Sequence, residues 1–470
     1  MNTTQTSTVL STSDRCPRSE KTPLSGSAGG GCFTIGQASS TPLGNTTKLL
    51  NPPTPPEPNT EAASDAKRVQ KWVRQSAARN IVGGRLNACC RSVLSKSAGV
   101  DVWESKKKTF SYGGLIVCGS VWACPVCASK ITEKRRQELT EALETTKSHG
   151  GAVVMLTLTV PHYGHHKIKN VVDGLSRAYV KFGNRKGFKR VSASIGLFGR
   201  IRALEVTYGR NGWHPHFHIL LFLSSPLSAR QIKLVELDLL KQWQSACVAS
   251  GLPEPNKHGL SLDDGTNAAA YVSKWGLENE MTKGHLKTGK KKDHLSPFAL
   301  LDLHIDRESA ETPFQKDLAP LAGFLFHEYA KAFRGKHQLE WSRGLRDTLN
   351  FEPEKSDEEL AVEHDQEALY FSKIPFEMWR LILKKKKRDQ LPLIFAQGFD
   401  AFYHFCETLW KDQPVPGATT DGSKTEQSVE AFDFVRPYQL RTPQVLQLPD
   451  LIEVNPSPLH PEEELFYLPY

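Results

Sequence analysis

The stretch WHPHFHILLF at residues 213–222 decides the fold, because it alternates histidines with apolar residues. Side chains two apart on a strand point to the same side of a sheet, so His214, His216 and His218 would line one face. The apolar residues that alternate with them, beginning with Phe217, would enter the core from the other face. Neutral imidazole is a common ligand of transition metals. The alternation therefore predicts a strand with one metal-binding face.

A second strand is expected immediately before it, at residues 201–208, with turn chemistry in the Gly-Arg-Asn-Gly sequence between the two. A hairpin loop of two residues would place Glu205 opposite His218, and a loop of four would place it opposite His216. Directly opposed residues share a face, so either loop adds a carboxylate to the histidines. An odd loop length would turn Glu205 away, and Glu205 would then be a solvated strand residue.

A candidate nucleophile follows in the alanine-rich stretch 267–275, which has the composition of a helix. Helical spacing places Asn267, Tyr271 and Lys274 on one face. A tyrosine can attack a phosphodiester whose charge a metal neutralises, while Lys274 favours the phenolate or holds the phosphate. Tyr-x-x-Lys alone is a weak signal, because most such tyrosines only pack.

Taken together, these elements resemble the HUH-endonuclease replication initiators of rolling-circle plasmids. The first motif of that family matches the strand 155–161, the second is His-Pro-His-x-His at 214–218, and the third is Tyr271 with Lys274. The order and separation of the motifs agree over roughly residues 85–350. The resemblance implies an α+β fold with an antiparallel-sheet HUH core and flanking helices, a Cys-rich zinc-like element before it and a helical C-terminal region after it.

By the same resemblance, His216 and His218 are the metal ligands and Tyr271 cleaves DNA. With Glu205, which the hairpin pairing adds, the two histidines are expected to hold Mg²⁺ or Mn²⁺. The chain is expected to bind a plasmid double-strand origin, as supercoiled duplex and single strand, and to form a 5′-phosphotyrosine link. It would work with a host helicase and replication proteins in a bacterial or archaeal cytoplasm, and a homodimer is left open. Some such initiators have a glutamate four residues before the tyrosine, where this chain has Asn267, so the base for termination is unassigned.

Two other classes of protein compete with this interpretation. A relaxase or single-strand transposase shares the metal site but processes other DNA. A zinc-dependent DNA-binding regulator performs no chemistry, and in it the histidines only stabilise the fold. Metal-dependent nicking separates the enzymes from the regulator.

A cluster of cysteines predicts a structural zinc site. Cys124 and Cys127 form a Cys-x-x-Cys knuckle, and Cys118 precedes it by six residues. Tetrahedral zinc takes four ligands, and the fourth is Cys89 or Cys90, of which we select Cys90. Adjacent cysteines rarely bind one metal together, so one of the two would be spare. Buried free thiols are the alternative.

The lysine-rich stretch 283–292 contains Gly-x-x-x-x-Gly-Lys but has lysine where a phosphate-binding loop needs Ser or Thr. No strand precedes it, so we reject an ATP site and expect dependence on a separate helicase. The stretch is better interpreted as a clamp on DNA phosphates. The clamp would comprise Lys283, Lys287, Lys290, Lys291 and Lys292.

Three histidines after the first motif strand, His162, His165 and His166, lie in an expected loop. Their position near the motif suggests a metal assignment, but we give them little weight as catalytic residues.

Composition agrees with this assignment. The chain has 470 residues, with 60 Lys and Arg against 51 Asp and Glu, and its charge of +9 favours a nucleic-acid partner. It has no apolar run long enough to span a membrane and no signal-peptide pattern at its start. Nine cysteines, an odd number, suit a reducing cytoplasm.

The sequence divides into five regions. Residues 1–65 are rich in Ser, Thr, Gly and Pro and predict a disordered arm, and residues 66–150 predict a Cys-rich and helical DNA-binding region. The nicking and rejoining core is expected at 151–305. A helical region at 306–411 and a disordered tail at 412–470 complete the chain.

Overall fold

A computed structural model describes residues 60–106, 108–264, 293–363 and 367–412. These residues belong to one unit that begins at Asn59. Residues 1–59 of the predicted arm and residues 413–470 of the predicted tail lie outside the described residues. Residues 60–65, which were expected to belong to the disordered arm, instead begin a helix. None of the helices in these ranges combines the length and apolar character needed to cross a membrane.

The described residues form both strands and helices, which are interspersed along the chain. The strands are β1 (Val100–Glu104), β2 (Phe110–Gly113), β3 (Ala152–Thr159), β4 (Leu197–Gly209), β5 (Gly212–Leu223), β6 (Leu260–Asp263), β7 (Leu339–Trp341) and β8 (Leu369–Ile374). The helices are α1 (Thr60–Val82), α2 (Pro125–Ser148), α3 (Ile168–Asn184), α4 (Lys186–Ser194), α5 (Ala229–Ala249), α6 (Pro297–Ile305), α7 (Pro313–Leu318), α8 (Ala322–Phe333), α9 (Leu345–Thr348), α10 (Asp357–Val362), α11 (Phe376–Lys384), α12 (Leu391–Ala396) and α13 (Phe399–Lys411).

The central sheet of the described residues has five antiparallel strands in the order β6-β3-β5-β4-β7. A second antiparallel sheet has the order β2-β1-β8. The expected α+β class with antiparallel sheets is confirmed. The region 306–411 supplies strands as well as helices, because β7 extends the central sheet and β8 pairs with β1.

The back face of the central sheet is defined by Phe217, Ile219 and Leu221, which are 0%, 1% and 1% exposed. The Phe217 ring lies 5.0 Å from that of Tyr179 on α3, so this face packs against a helix. Burying each such side chain contributes about 1.5–3 kcal/mol. The alternation in the histidine stretch correctly predicted this core face, and burial on that side fixes which residues face the other way.

The front face is the opposite side of the same sheet, and its two ends differ. At one end, Met155, Leu220 and Phe222 pack with Leu139 and Leu143 of α2 in a separate apolar cluster. At the other end the strands present histidines, threonines and a glutamate. Since α2 covers only the apolar end, the polar end is left as a candidate site.

Candidate metal centres

The hairpin of β4 and β5 sets the position of Glu205. Gly209 pairs with Gly212, which has a φ of +80°, so the connection has two residues. Counted from that glycine pair, Glu205 lies four residues back and His216 four residues forward, and the two are directly paired. The expectation that a two-residue loop would place Glu205 opposite His218 is wrong, because the flanking glycines are themselves paired. The predicted shared face is nevertheless correct.

Glu205, His216 and His218 come together on the front face. The Glu205 Oε2 atom lies 3.6 Å from the His216 Nε2 and 3.7 Å from the His218 Nε2. One donor atom from each residue lies within 4.8 Å of the others. The three donors therefore converge on one point, as a shared divalent ion requires. One carboxylate and two imidazoles are a donor set that Mn²⁺ and related divalent metals accept.

The other nitrogen of each imidazole is already engaged. The His218 Nδ1 lies 3.0 Å from the Thr157 hydroxyl, and the His216 Nδ1 lies 3.2 Å from the His214 carbonyl. These bonds direct both Nε2 atoms toward Glu205, as partners of metal-binding histidines commonly do. Burial lowers the pKa of His218 to about 4, so its ring is neutral at neutral pH. Neutral imidazole is the form that binds metal.

Two further histidines flank this group. The His214 ring stacks on that of His162 at 4.5 Å and lies 5.0 Å from that of His216. Burial lowers the pKa of His214 to about 3 and also lowers that of His162. His214 is outside the three-residue group, which agrees with its expected place as a neighbour. The stacking of His162 on His214 and the contact of Thr157 with His218 were not predicted from the sequence, because each depends on how distant segments pack.

The tip of the hairpin contacts the chain where the described residues resume. Tyr208 and Leu295 exchange both backbone hydrogen bonds at 2.8 Å, and Arg210 forms an ion pair with Asp293 at 2.7 Å. The stretch between these contacts and β6 contains several predicted site residues that lie outside the described residues. They are Asn267, Tyr271, Lys274, Lys283, Lys287, Lys290, Lys291 and Lys292.

Four buried cysteines form a second candidate centre, made of Cys89, Cys118, Cys124 and Cys127. The Cys89 sulfur lies 3.7 Å from that of Cys124 and 3.6 Å from that of Cys127. The Cys118 and Cys127 sulfurs are 3.7 Å apart. Four thiolates around one zinc, each at about 2.3 Å, would be about 3.8 Å apart. The separations therefore fit a tetrahedral zinc site.

Cys89 replaces the selected Cys90 in this group, which corrects our choice between the adjacent residues. The Cys90 backbone has a φ of +52° and its N–H donates to the Ile116 carbonyl. This backbone conformation turns the two neighbouring side chains in different directions. The Cys90 sulfur lies 3.8 Å from that of Cys89 but stays outside the four-sulfur group.

Side chains from α1 support the cysteine cluster. The Gln75 amide is directed at the sulfurs of Cys89 and Cys124, at 3.5 and 3.3 Å, and Arg79 donates to its Oε1 atom at 3.2 Å. Burial opposes ionisation of Cys124, but hydrogen bonds from the neighbouring thiols outweigh it and lower its pKa. Cys124 also precedes the first turn of α2, where the helix dipole favours negative charge.

Comparison with known proteins finds similarity to replication proteins. Residues 116–246 match the model of the family described as Replication protein. "Protein rep" of Streptomyces lividans is 28% identical over 319 residues, which cover 55% of this chain and 69% of that protein. "Neomycin resistance protein" of Streptomyces cyanogenus is 31% identical over 135 residues, covering 23% of this chain and 31% of that protein. No solved structure matches.

A further relative, "Protein rep" of Bacillus amyloliquefaciens, is 31% identical over 104 residues, covering 21% of this chain and 28% of that protein. The chain therefore spans about two thirds of the first of these relatives and less than a third of the other two. The family match contains the β4–β5 hairpin and three of the four clustered cysteines. Together these matches support a Rep family of replication proteins for this chain, as the sequence motifs indicated.

Proposed function

We propose that this protein initiates rolling-circle replication of a plasmid by binding the double-strand origin, nicking one strand and later rejoining the ends. The observation that supports the proposal most strongly is the convergence of Glu205, His216 and His218 on the hairpin of a chain similar to replication proteins. Three donors placed by paired strands bind a metal with little rearrangement.

In this proposal Glu205, His216 and His218 hold Mg²⁺ or Mn²⁺. A divalent ion there supplies charge stabilisation to the scissile phosphate and its leaving oxygen. Thr157 fixes the His218 ring, and the apolar back face keeps β5 rigid while DNA binds in front. Such preorganisation reduces the reorganisation needed during the reaction.

The proposed nucleophile is the Tyr271 hydroxyl. The tyrosine loses its hydroxyl proton as its oxygen forms a bond to phosphorus, the bond from phosphorus to the 3′ oxygen breaks, and the released 3′ oxygen takes up a proton to become the hydroxyl that primes synthesis. Lys274 favours the phenolate or holds the phosphate. Because the tyrosine ester retains the phosphodiester bond energy, attack by a 3′ hydroxyl reverses the step and rejoins the strand.

The remaining residues are proposed to act on the origin. The cysteine cluster would hold structural zinc beside α1 and α2, and the lysines of 283–292 would contact DNA phosphates. Strand separation would depend on a host helicase and replication proteins in the cell that houses the plasmid. This is expected to be a bacterial or archaeal cytoplasm.

Nicking of a supercoiled plasmid that contains the parent origin tests the proposal. Wild-type protein with Mg²⁺ or Mn²⁺ should convert the plasmid to the open-circular form, and a chelator should prevent it. The variant His216→Ala with His218→Ala should lose nicking and keep origin binding, and mapping of the DNA-linked peptide should identify Tyr271. Normal nicking by the double variant would refute the metal assignment.

Two other outcomes would reassign the protein. Binding to the origin with no cleavage under any metal would indicate the DNA-binding regulator. Cleavage confined to a transfer origin or a transposon end would indicate a relaxase or a single-strand transposase.

A further inference from the structure

Every charged residue in the sequence between Asp173 and Glu205 is a lysine or an arginine. There are eight of these residues. Six of them belong to a surface that we name the basic corner, where α3 meets α4. The basic corner consists of Arg177, Lys181, Arg185, Lys186, Lys189 and Arg200.

The geometry of the corner brings these cations together. Arg185 ends α3 and begins α4, with extended backbone angles that turn the chain. The Arg200 guanidinium extends from β4 over the rings of Tyr179 and Phe188, at 5.8 and 5.6 Å, and so lies against both helices. Arg177 and Lys181 are four residues apart on one helix face.

Most of the basic corner has no neutralising partner among the described residues. Of the eight cations, Arg190 pairs with Asp238 and Arg202 pairs with Glu340. The Lys181 ammonium donates to the Ala249 carbonyl at the end of α5. No described carboxylate lies within 4 Å of the other five, and the Nε atom of Arg185 is buried without a hydrogen-bond partner among the described residues.

The α2 helix shows that this chain can neutralise its cations where they serve packing. Arg135 pairs with Asp357 of α10 at 2.6 Å, and Lys134 lies 3.9 Å from Glu363. Lys130 is partly buried and donates to the Ala361 carbonyl. Unlike this paired set, four residues of the basic corner are exposed to solvent, namely Arg177, Lys181, Lys186 and Lys189.

We propose that the basic corner binds the phosphate backbone of duplex DNA, at a surface separate from the nicking face. Because α3 packs on the back face, the sheet separates the corner from His216 and His218. A single strand at the metal group would occupy the front, so the phosphates that reach the corner belong to the flanking duplex. The inference depends on the proposed function for its choice of DNA as the polyanion.

Salt dependence of binding tests this proposal. A fluorescent duplex of unrelated sequence is titrated at several NaCl concentrations with wild type and with Arg177→Gln, Lys186→Gln, Lys189→Gln. Loss of three phosphate contacts should make the slope of log K against log salt shallower by about 2.7. The control variant Lys147→Gln, Lys316→Gln, Lys331→Gln removes the same charge from other exposed positions and should keep the wild-type slope. If the slope of the corner variant differs from that of the control variant by less than about 0.9, the value for one phosphate contact, the proposal is overturned.

Nicking of a single-stranded origin oligonucleotide separates this inference from the proposed function. The corner variant should nick at the wild-type rate, because its substitutions lie behind the sheet. If the corner variant has the expected shallower slope but wild type never nicks, the proposed function is refuted and the proposal for the basic corner is supported. If wild type nicks the oligonucleotide but the corner variant and the control variant have the same slope, only the proposal for the basic corner is refuted. A variant with unchanged slopes that cannot support plasmid replication in cells would assign the corner to an acidic protein partner and refute the DNA surface.

Discussion

The hydroxyl of Thr157 should determine how tightly the candidate active site binds its metal. It lies 3.0 Å from the His218 Nδ1 and is paired with His218 across β3 and β5. Valine has nearly the same shape as threonine, so Thr157→Val removes the hydrogen bond and leaves the strand intact. A hydrogen bond of this kind contributes about 0.5–1.5 kcal/mol, and loss of a partner behind a metal ligand weakens binding about 10- to 100-fold. The part-buried position of this pair favours the lower end, about tenfold.

The assay is nicking of the origin plasmid over a range of Mn²⁺ concentrations. Thr157→Val should need about tenfold more Mn²⁺ for half-maximal rate and approach the wild-type rate at saturation, because the ligands themselves remain. Thr159→Val is the matched control, since the Thr159 hydroxyl donates to the His258 carbonyl and not to an imidazole. Identical metal dependence of the two variants would refute the orienting role of Thr157.

Two further predictions concern the cysteine cluster and the end of the reaction. Elemental analysis of dialysed protein should find about one zinc in wild type and in Cys90→Ser but a loss in Cys89→Ser, because Cys89 is the fourth sulfur of the candidate zinc cluster. Equal zinc in both variants would contradict the assignment. Asn267→Glu should increase hydrolytic release of cleaved DNA by adding a carboxylate that can act as a general base four residues before Tyr271, as measured with a labelled origin oligonucleotide. Unchanged release would remove only the argument about termination.

The face pattern of the hairpin could be predicted from sequence, because burial of Phe217 and its neighbours leaves one orientation for the histidines. The pairing of Glu205 could not, because a Gly-Arg-Asn-Gly turn allows several registers. The choice between Cys89 and Cys90 depends on a backbone angle at a single residue, which spacing does not reveal.

The pairing of strands that are far apart in the chain was the second feature that the sequence could not predict. The three-residue strand β7 pairs with β4, and β8 pairs with β1 across more than half of the chain. Neither strand has a local pattern that names its partner. Thr157 was equally hard to recognise as a supporting residue, because its role depends on the register between β3 and β5.

The described residues on both sides of the segment 265–292 are fixed to the central sheet. Asp263 is paired with Met155 on one side, and Asp293 is tied to Arg210 at the hairpin tip on the other. Tyr271 is seven residues beyond Asp264. Even a fully extended chain then keeps it within about 25 Å of that residue. A DNA end joined to Tyr271 would therefore be tethered to the central sheet. Its effective concentration there would be higher than that of a freely dissociated end.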